Sequence, residues 1–456
     1  MMSAPRLELM QDWKNKADLV RAALPEGGLF AEKAWRISPE PFVLSPAEVR
    51  YLEQLGPLLH RFQKVCDLIY RRSRKGSLPG WIADYLDRGK PAGLLEAGLS
   101  APANAEVPRV IRPDLILTNE GFTATELDSV PGGIGLTAWL GSIYGTANPE
   151  HRIIGGERGM LDGFASIFRR GEGDILVSEE SAAYRPEMEW LAARAPGDFR
   201  VASVEHYEAT GRDVYRFFEL FDLPNLPGID NLQRAVTSGA IELTSPFKPW
   251  LEEKLWSALF WSHPLKDVWR RELRDANWKR LRELFPRSWV VDPAEVPHHA
   301  VIPGLEVQSF AELKQFSQSE RELVLKLSGF NERAWGSRSV TIGQDASQAE
   351  WGAAVDEAIT SFESAPYVLQ RFHGGRLVSH PWLNEETGEV EMMEGRVRLC
   401  PYYFVSADGG QSADGGQSAD GGQVSLGGVL ATICPSDKKI LHGMRDAILV
   451  PCRVAE

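Results

Sequence analysis

The chain has 456 residues, 43% of them hydrophobic and 25% charged, and a formal net charge of -13 at pH 7. That length exceeds what a single hydrophobic core serves, so two or three subdomains are expected, and the composition excludes both a disordered chain and one threaded through a membrane by long apolar runs. The acidic balance excludes a general nucleic-acid binder, because the phosphate backbone would be repelled, but leaves room for small anions in a local positive site. Four cysteines, Cys66, Cys400, Cys434 and Cys452, form no C-x-x-C pair. They fit neither a zinc site nor a dense disulfide framework and are expected as reduced, buried thiols. Charges interrupt MMSAPRLELMQDWKNKADLV before any apolar run of signal-peptide length develops, so cytoplasmic residence without a membrane partner is the expectation.

The first clear element is an amphipathic helix from Leu44 to Arg72, started by Ser45-Pro46 and carrying apolar residues at helical spacing. It is expected to pack on a sheet. Next, RPDLILT and FTATELD flank Asn119-Glu120-Gly121 and predict a hairpin over 112–128, followed by a glycine-rich turn and an apolar helix in SVPGGIGLTAWLGSIYG. These elements define a first region, 1–170. A fresh unit over 171–300 alternates strand GDILVSEE, helix RPEMEWLAARA and strand FRVASVEHY, a βαβ pattern. Two charged, Trp-bearing helices are expected after it, in PWLEEKLWSALFW and DVWRRELRDANWKRLRELF. The last unit, 301–456, offers strand ELVLKLSGF, helix SQAEWGAAVDEAITSFES and strands PYVLQRF, GRVRLCPYYFV and VSLGGVLATI. Three copies of SADGGQ at 406–423 contain nothing large to bury and predict a flexible surface loop. The whole predicts an α+β fold, sheets with helices.

Three constellations carry chemistry. Pairing across the 119–121 turn brings Asp114 near Glu126 and Asp128, which lie two apart and so on one strand face; three such oxygen donors suit Mg²⁺, which usually brings phosphates with it. Lys326 lies inside a short apolar strand, where its ammonium needs a partner or a cleft, and the following loop carries Gly329, Asn331, Arg333, Gly336 and Ser337, a build suited to closing over phosphate oxygens. No Walker A ending is present. PYVLQRF, with Gln370, Arg371 and Phe372, could serve as a hinge beside an adenine edge, while Lys254 on its own reads as a solvated helix lysine. No G-x-S-x-G elbow, H-E-x-x-H or strand-following G-x-G-x-x-G occurs, which removes the common nucleophile, zinc-protease and dinucleotide signatures.

The order R-x-D, turn, E-x-D, βαβ unit, helical lysine, strand lysine with glycine loop, then YVLQRF resembles the circularly permuted ATP-grasp ligases, in particular the synthetase domain of glutathionylspermidine synthetase and its relatives. The resemblance runs from about Leu29 to the C-terminus. It implies ATP-grasp architecture in permuted order with a βαβ pre-ATP-grasp-like subdomain. It also implies ATP and Mg²⁺ as cofactors and small-molecule carboxylate and amine substrates. Asp114, Glu126 and Asp128 would be the metal ligands, with Asp128 standing where the family has asparagine. Lys254, Lys326, the loop residues Gly329, Asn331, Arg333, Gly336 and Ser337, and the hinge Gln370, Arg371 and Phe372 would bind nucleotide. Arg112 would stabilise the transferred group. The family's later arginine is replaced by the Cys434 to Lys439 stretch, which leaves Arg396 or Arg398 to stand in for it; Arg398 is taken as the second catalytic residue. The competing expectations are a nucleotide-binding protein of this fold without turnover and a metal-dependent hydrolase on the same carboxylates.

Overall fold

The computed structural model describes residues 4–27, 30, 35–100, 106–227, 229–334, 339–407, 423–443 and 445–456. The SADGGQ loop lies almost wholly outside the described residues, as do Gly336 and Ser337.

The helix expected near residue 45 spans Pro46–Arg74 and starts on a reciprocal cap: the Ser45 side chain accepts from the Glu48 amide, and Glu48 returns a bond to the Ser45 amide. Arg71, Arg72 and Arg74 close its last turn, where the helix dipole favours cations. Its apolar stripe, Leu52, Leu55, Leu59, Phe62 and Ile69, is buried, each such side chain worth about 1.5–3 kcal/mol. The stripe packs on the largest sheet, where Tyr403 Oη donates to Leu52 O at 2.6 Å. Gly56 is required there, because a Cβ would sit 2.5 Å from the Tyr403 ring. A further helix, Ala4–Ala22, precedes it, without a counterpart in the sequence reading.

The largest sheet has seven strands, in the order Phe42–Leu44, Ile448–Val454, Val424–Pro435, Val390–Val405, Val110–Leu117 and Phe122–Asp128, with Leu377–Leu383 also on Val390–Val405. The pairing of Phe42–Leu44 with Ile448–Val454 is parallel and the others are antiparallel. One edge of the 16-residue strand Val390–Val405 serves two partners: Leu377–Leu383 along its first half and Val110–Leu117 from Arg398 to Phe404. Strand pairing thus crosses the divisions drawn at 170 and 300, because the hairpin of the first region hydrogen-bonds to strands of the last.

A second sheet is parallel, in the order Asp198–Ser203, Glu172–Val177, Asp213–Phe217 and Leu243–Thr244, with helix Arg185–Ala192 crossing between the first two strands in sequence. This is the expected βαβ unit. The third sheet is antiparallel, ordered Val340–Ile342, Leu323–Leu327, Tyr367–Arg371 and Ser288–Val290. Helix Gln348–Thr360, capped by the Ser347/Glu350 box, belongs to the same core through Trp351, Val355 and Ala358. The architecture is a mixed, α+β one of three sheets with helices.

Both long charged helices are shorter than periodicity predicts. PWLEEKLWSALFW divides into a 3-10 turn Pro249–Leu251 and an α-helix Leu255–Trp261, leaving Lys254 at the helix start and not in its middle. DVWRRELRDANWKRLRELF divides at Arg274, whose φ of 67° breaks the helical ladder between Lys266–Leu273 and Asp275–Leu284. Apolar spacing continues across that break, so it could not reveal it.

Candidate active site

The site is built outward from the hairpin. Thr118 N donates to Gly121 O at 2.8 Å across the turn, and the register then sets Asp114 opposite Glu126 and Arg112 opposite Asp128, with an irregularity between Asp114 and Leu115. Arg112 knits this edge together: Nε donates to Asp114 Oδ1 at 3.0 Å, Nη2 pairs with Asp128 Oδ2 at 3.0 Å, and Nη1 donates to Gly132 O at 3.1 Å. From the neighbouring strand Arg398 Nη1 reaches Asp114 Oδ2 at 2.8 Å. Burial pushes the Asp114 carboxyl up, but the Arg112 and Arg398 guanidiniums outweigh it and hold the pKa below the ordinary value. Asp128 goes the other way: its burial raises the pKa, Arg112 offsets only part, and Glu126 and Asp114 add to the rise. Arg398 lines the cavity, and its Nε is buried without a hydrogen-bond partner among the described residues.

Two lysines come to the same place from other units. Lys254 Nζ pairs with Glu126 Oε1 at 3.0 Å and donates to Ala334 O at 3.2 Å. Lys326 Nζ donates to Gln370 Oε1 at 2.9 Å and to Thr125 O at 3.1 Å. Burial brings the Lys326 ammonium down to about 8, with Glu126 opposing that fall and Lys254 adding to it. Lys254 also loses by burial, yet Glu126 more than compensates and its pKa rises. Gln370 is itself buried and fixed, its Nε2 donating to Ser288 Oγ at 3.2 Å.

These groups line one cavity of about 570 Å³, together with Gly329, Asn331, Arg371 and Phe372. At the hinge, the Phe372 amide donates to Glu322 O at 3.0 Å, and Arg371 Nη2 to Gly304 O at 2.8 Å. Arg333 is not among the lining residues; it turns to Glu357 at 2.6 Å on the surface. Among the described residues no group of three or more His, Cys, Asp or Glu side chains is arranged to hold a metal ion.

Among the cavity residues that sequence reasoning missed, Glu219, Glu252, Tyr184 and Lys439 bear on its chemistry. Glu219 and Glu252 bring two more carboxylates; burial raises both, Glu219 to about 8 with Glu252 and Asp128 pushing the same way, and Glu252 against the pull of Arg216. Tyr184 supplies an aromatic wall, and Lys439 lines the cavity while paired to Asp345. Glu252 lies two residues before Lys254 in sequence and could have been suspected from that; Glu219 and Tyr184 carry no local signal.

No family model matches the chain, and no curated protein matches it. Among solved structures it is similar to the apo form of a glutathione synthetase-like effector from Globodera pallida, with a TM-score of 0.54 at 9% identity, covering 100% of this chain and 98% of that one. A protein described as a gamma-glutamylcysteine synthetase, from Methylobacillus flagellatus, aligns with a TM-score of 0.35 at 9% identity, covering 88% and 87%. The likeness to the effector is one of fold, a mixed α+β architecture. Among the described residues no helix is long and apolar enough to cross a membrane.

Proposed function

We propose that the chain is an ATP- and Mg²⁺-dependent ligase that joins a small-molecule carboxylate to an amine through an acylphosphate. The observation that carries this is the convergence of Lys254 and Lys326, from two separate units, on the Glu126 end of the hairpin inside one cavity. The order of these groups along the chain, with the carboxylate strand first, is that of the permuted ATP-grasp ligases, and the fold likeness to a glutathione synthetase-like protein agrees with it.

Lys254 and Lys326 would neutralise phosphate charge, with the base beside the Gln370–Phe372 strand end. Glu126 and Asp128 fit a magnesium ion that also takes phosphate oxygens: both line the cavity, their side chains are 41% and 29% exposed, and Asp128 is short of counter-charge. Asp114 does not fit that role, being closed between two guanidiniums, and instead holds Arg112 and Arg398 in place. Magnesium bound there would neutralise charge on the β- and γ-phosphates. Arg112 and Arg398, whose Nε is a spare donor, would stabilise the acyl oxygen as the phosphate transfers and as the amine attacks. The segment from Gly329 would close over the nucleotide and exclude water from the acylphosphate. Arg333 would join it by leaving Glu357, a surface pair worth about 0–1 kcal/mol.

The test is ADP release on mixing with ATP, Mg²⁺ and pooled amino acids and polyamines. Release above the background without acceptor, abolished in Glu126→Gln, is the expected result. One observation favours a second reading, a nucleotide-binding protein without turnover: Asp114 is sealed by two arginines, and among the described residues no three-carboxylate group is assembled. ATP binding without ADP release in any pool would select it.

A further inference from the structure

We infer that Lys90, Glu253 and Ser328 form a buried positioning relay that sets Lys254 and Lys326 against each other; the inference rests on the ligase reading above. Glu253 is nearly inaccessible, its side chain 2% exposed, and the Lys90 side chain beside it is 0% exposed. One carboxylate oxygen accepts from Lys90 Nζ and the other from Ser328 Oγ. The Ser328 hydroxyl in turn accepts from the Leu255 amide at 3.1 Å, and the Ser328 amide donates to Pro366 O at 2.9 Å. The start of helix Leu255–Trp261 is thereby tied to the end of strand Leu323–Leu327.

What the relay touches gives it a role beyond packing. Lys254 lies between Glu253 and Leu255, both engaged by Ser328, so its backbone is held on either side. Lys326 precedes Ser328 by two residues on the same chain segment. Gly329, the start of the phosphate-facing loop, lies flush on the relay: a Cβ there would come within 2.6 Å of the Glu253 carboxylate and 2.8 Å of Glu252 O. Lys90 Nζ also sits 5.8 Å from the centre of the Phe330 ring. None of the three relay residues lines the main cavity, so each acts through Lys254, Lys326 or Gly329.

Lys90 is not free to drift. Tyr85 Oη donates to Asp292, Arg88 pairs with Glu363 and lies over Phe362, and Gly89, at φ 71°, abuts Ser364 O so closely that a Cβ would fall 2.1 Å from it. The segment 85–90 therefore grips the far side of the third sheet's unit and presents one ammonium to Glu253. Without that ammonium a buried carboxylate is left uncompensated, and its way to solvent takes residues 252–254 with it.

The experiment is a double-mutant cycle on ATP affinity, measured by titration calorimetry on the full chain with Mg²⁺ present. Lys90→Met is expected to weaken ATP binding about tenfold in the wild-type background and less than about twofold in a Lys254→Met background, since a residue acting through Lys254 has nothing to position once that ammonium is gone. Lys90→Arg, which keeps the charge, is expected to recover most of the affinity. Should Lys90→Met fail to fold, Ser328→Ala replaces it in the same cycle with the same expectation. Equal losses in the two backgrounds, or wild-type affinity in the single variants, would overturn the relay while leaving the ligase reading standing. A wild-type chain that binds no ATP would overturn both.

Discussion

The depressed Lys326 ammonium would give the proposed nucleotide binding a proton signature. With a pKa of about 8 in the free chain, Lys326 is half protonated at pH 8, carries its proton in about nine molecules of ten at pH 7, and in about one of ten at pH 9. Its neighbours Gln370 Oε1 and Thr125 O are neutral acceptors. A polyphosphate arriving beside it favours the charged form and draws the pKa back up toward the ordinary lysine value. Binding of Mg-ATP should therefore take up about 0.1 proton at pH 7, about 0.5 at pH 8 and about 0.9 at pH 9 through this group. Affinity should fall with a slope approaching tenfold per pH unit above about pH 8, because the proton that binding needs becomes scarcer. The assay is calorimetric titration at each pH in two buffers of different ionisation enthalpy, comparing wild type with Lys326→Arg. A guanidinium stays charged throughout, so the variant should lose this uptake and the slope; Glu219, with a pKa also near 8, remains in both proteins and cancels in the difference. Equal proton uptake by the two proteins would refute the reasoning, since it would mean that Lys326 does not change its protonation beside the ligand.

Asp114→Ala should destabilise the fold by about 3–5 kcal/mol in urea unfolding, because Arg112 and Arg398 lose the carboxylate that both share, while Glu126→Gln, at a side chain 41% exposed, should cost less than about 1 kcal/mol. Gly56→Ala should reverse the usual helix gain and cost about 1–3 kcal/mol, read as a lowered urea midpoint, since the added methyl meets the buried Tyr403 ring. His380, bonded to Ser38 Oγ at 3.0 Å and Glu40 O at 3.1 Å, is brought by burial down to about 4. Its stabilisation is present above about pH 6.5 and is lost as pH falls toward 4, where the unfolded chain binds a proton that the folded one does not; the loss is about 3 kcal/mol, and His380→Gln should flatten that part of the stability-pH curve.

Local signals and long-range ones differ sharply in what the sequence discloses. The hairpin was legible because turn chemistry at 119–121 and two-residue alternation together specify a register, but that register continued would set Asp114 opposite Thr125; the irregularity between Asp114 and Leu115 moves it opposite Glu126. The Pro46–Arg74 helix was legible from its Ser45-Pro46 start and apolar stripe. Arg274 was not, because a single left-handed residue leaves the apolar spacing intact on both sides. The divisions at 170 and 300 followed the local alternation of strand and helix candidates and could not anticipate that the hairpin's neighbour in the sheet is strand Val390–Val405, nearly 300 residues onward. For the same reason Asp114 looked like one of three equivalent oxygen donors: its second guanidinium comes from residue 398, and only the sheet order delivers it. Glu219 and Glu252 carry no motif, and their importance lies in burial and in the influence of the Asp128 charge on both, which are properties of the fold.

The charge balance of the cavity leads to one more prediction. Among the described residues the lysines and arginines that line it are Arg112, Lys254, Lys326, Arg371, Arg398 and Lys439, against the carboxylates Asp114, Glu126, Asp128, Glu219 and Glu252. Most of that positive charge is already committed: Arg112 and Arg398 to Asp114 and Asp128, Lys254 to Glu126, and Lys439 to Asp345 outside the lining. A bare triphosphate would have to compete with these carboxylates for the same cations in a chain of net charge -13. A divalent cation on Glu126 and Asp128 changes the sign of that contest, because it releases Lys254 to the phosphates and offsets the raised Asp128 at once. ATP affinity should therefore rise at least tenfold between excess EDTA and millimolar Mg²⁺, and Glu126→Gln should lose most of that increment while binding metal-free ATP no worse than wild type, its Lys254 being already free. Equal affinity with and without magnesium in the wild-type chain would show that the lysines suffice alone, and the carboxylate edge would then need another explanation.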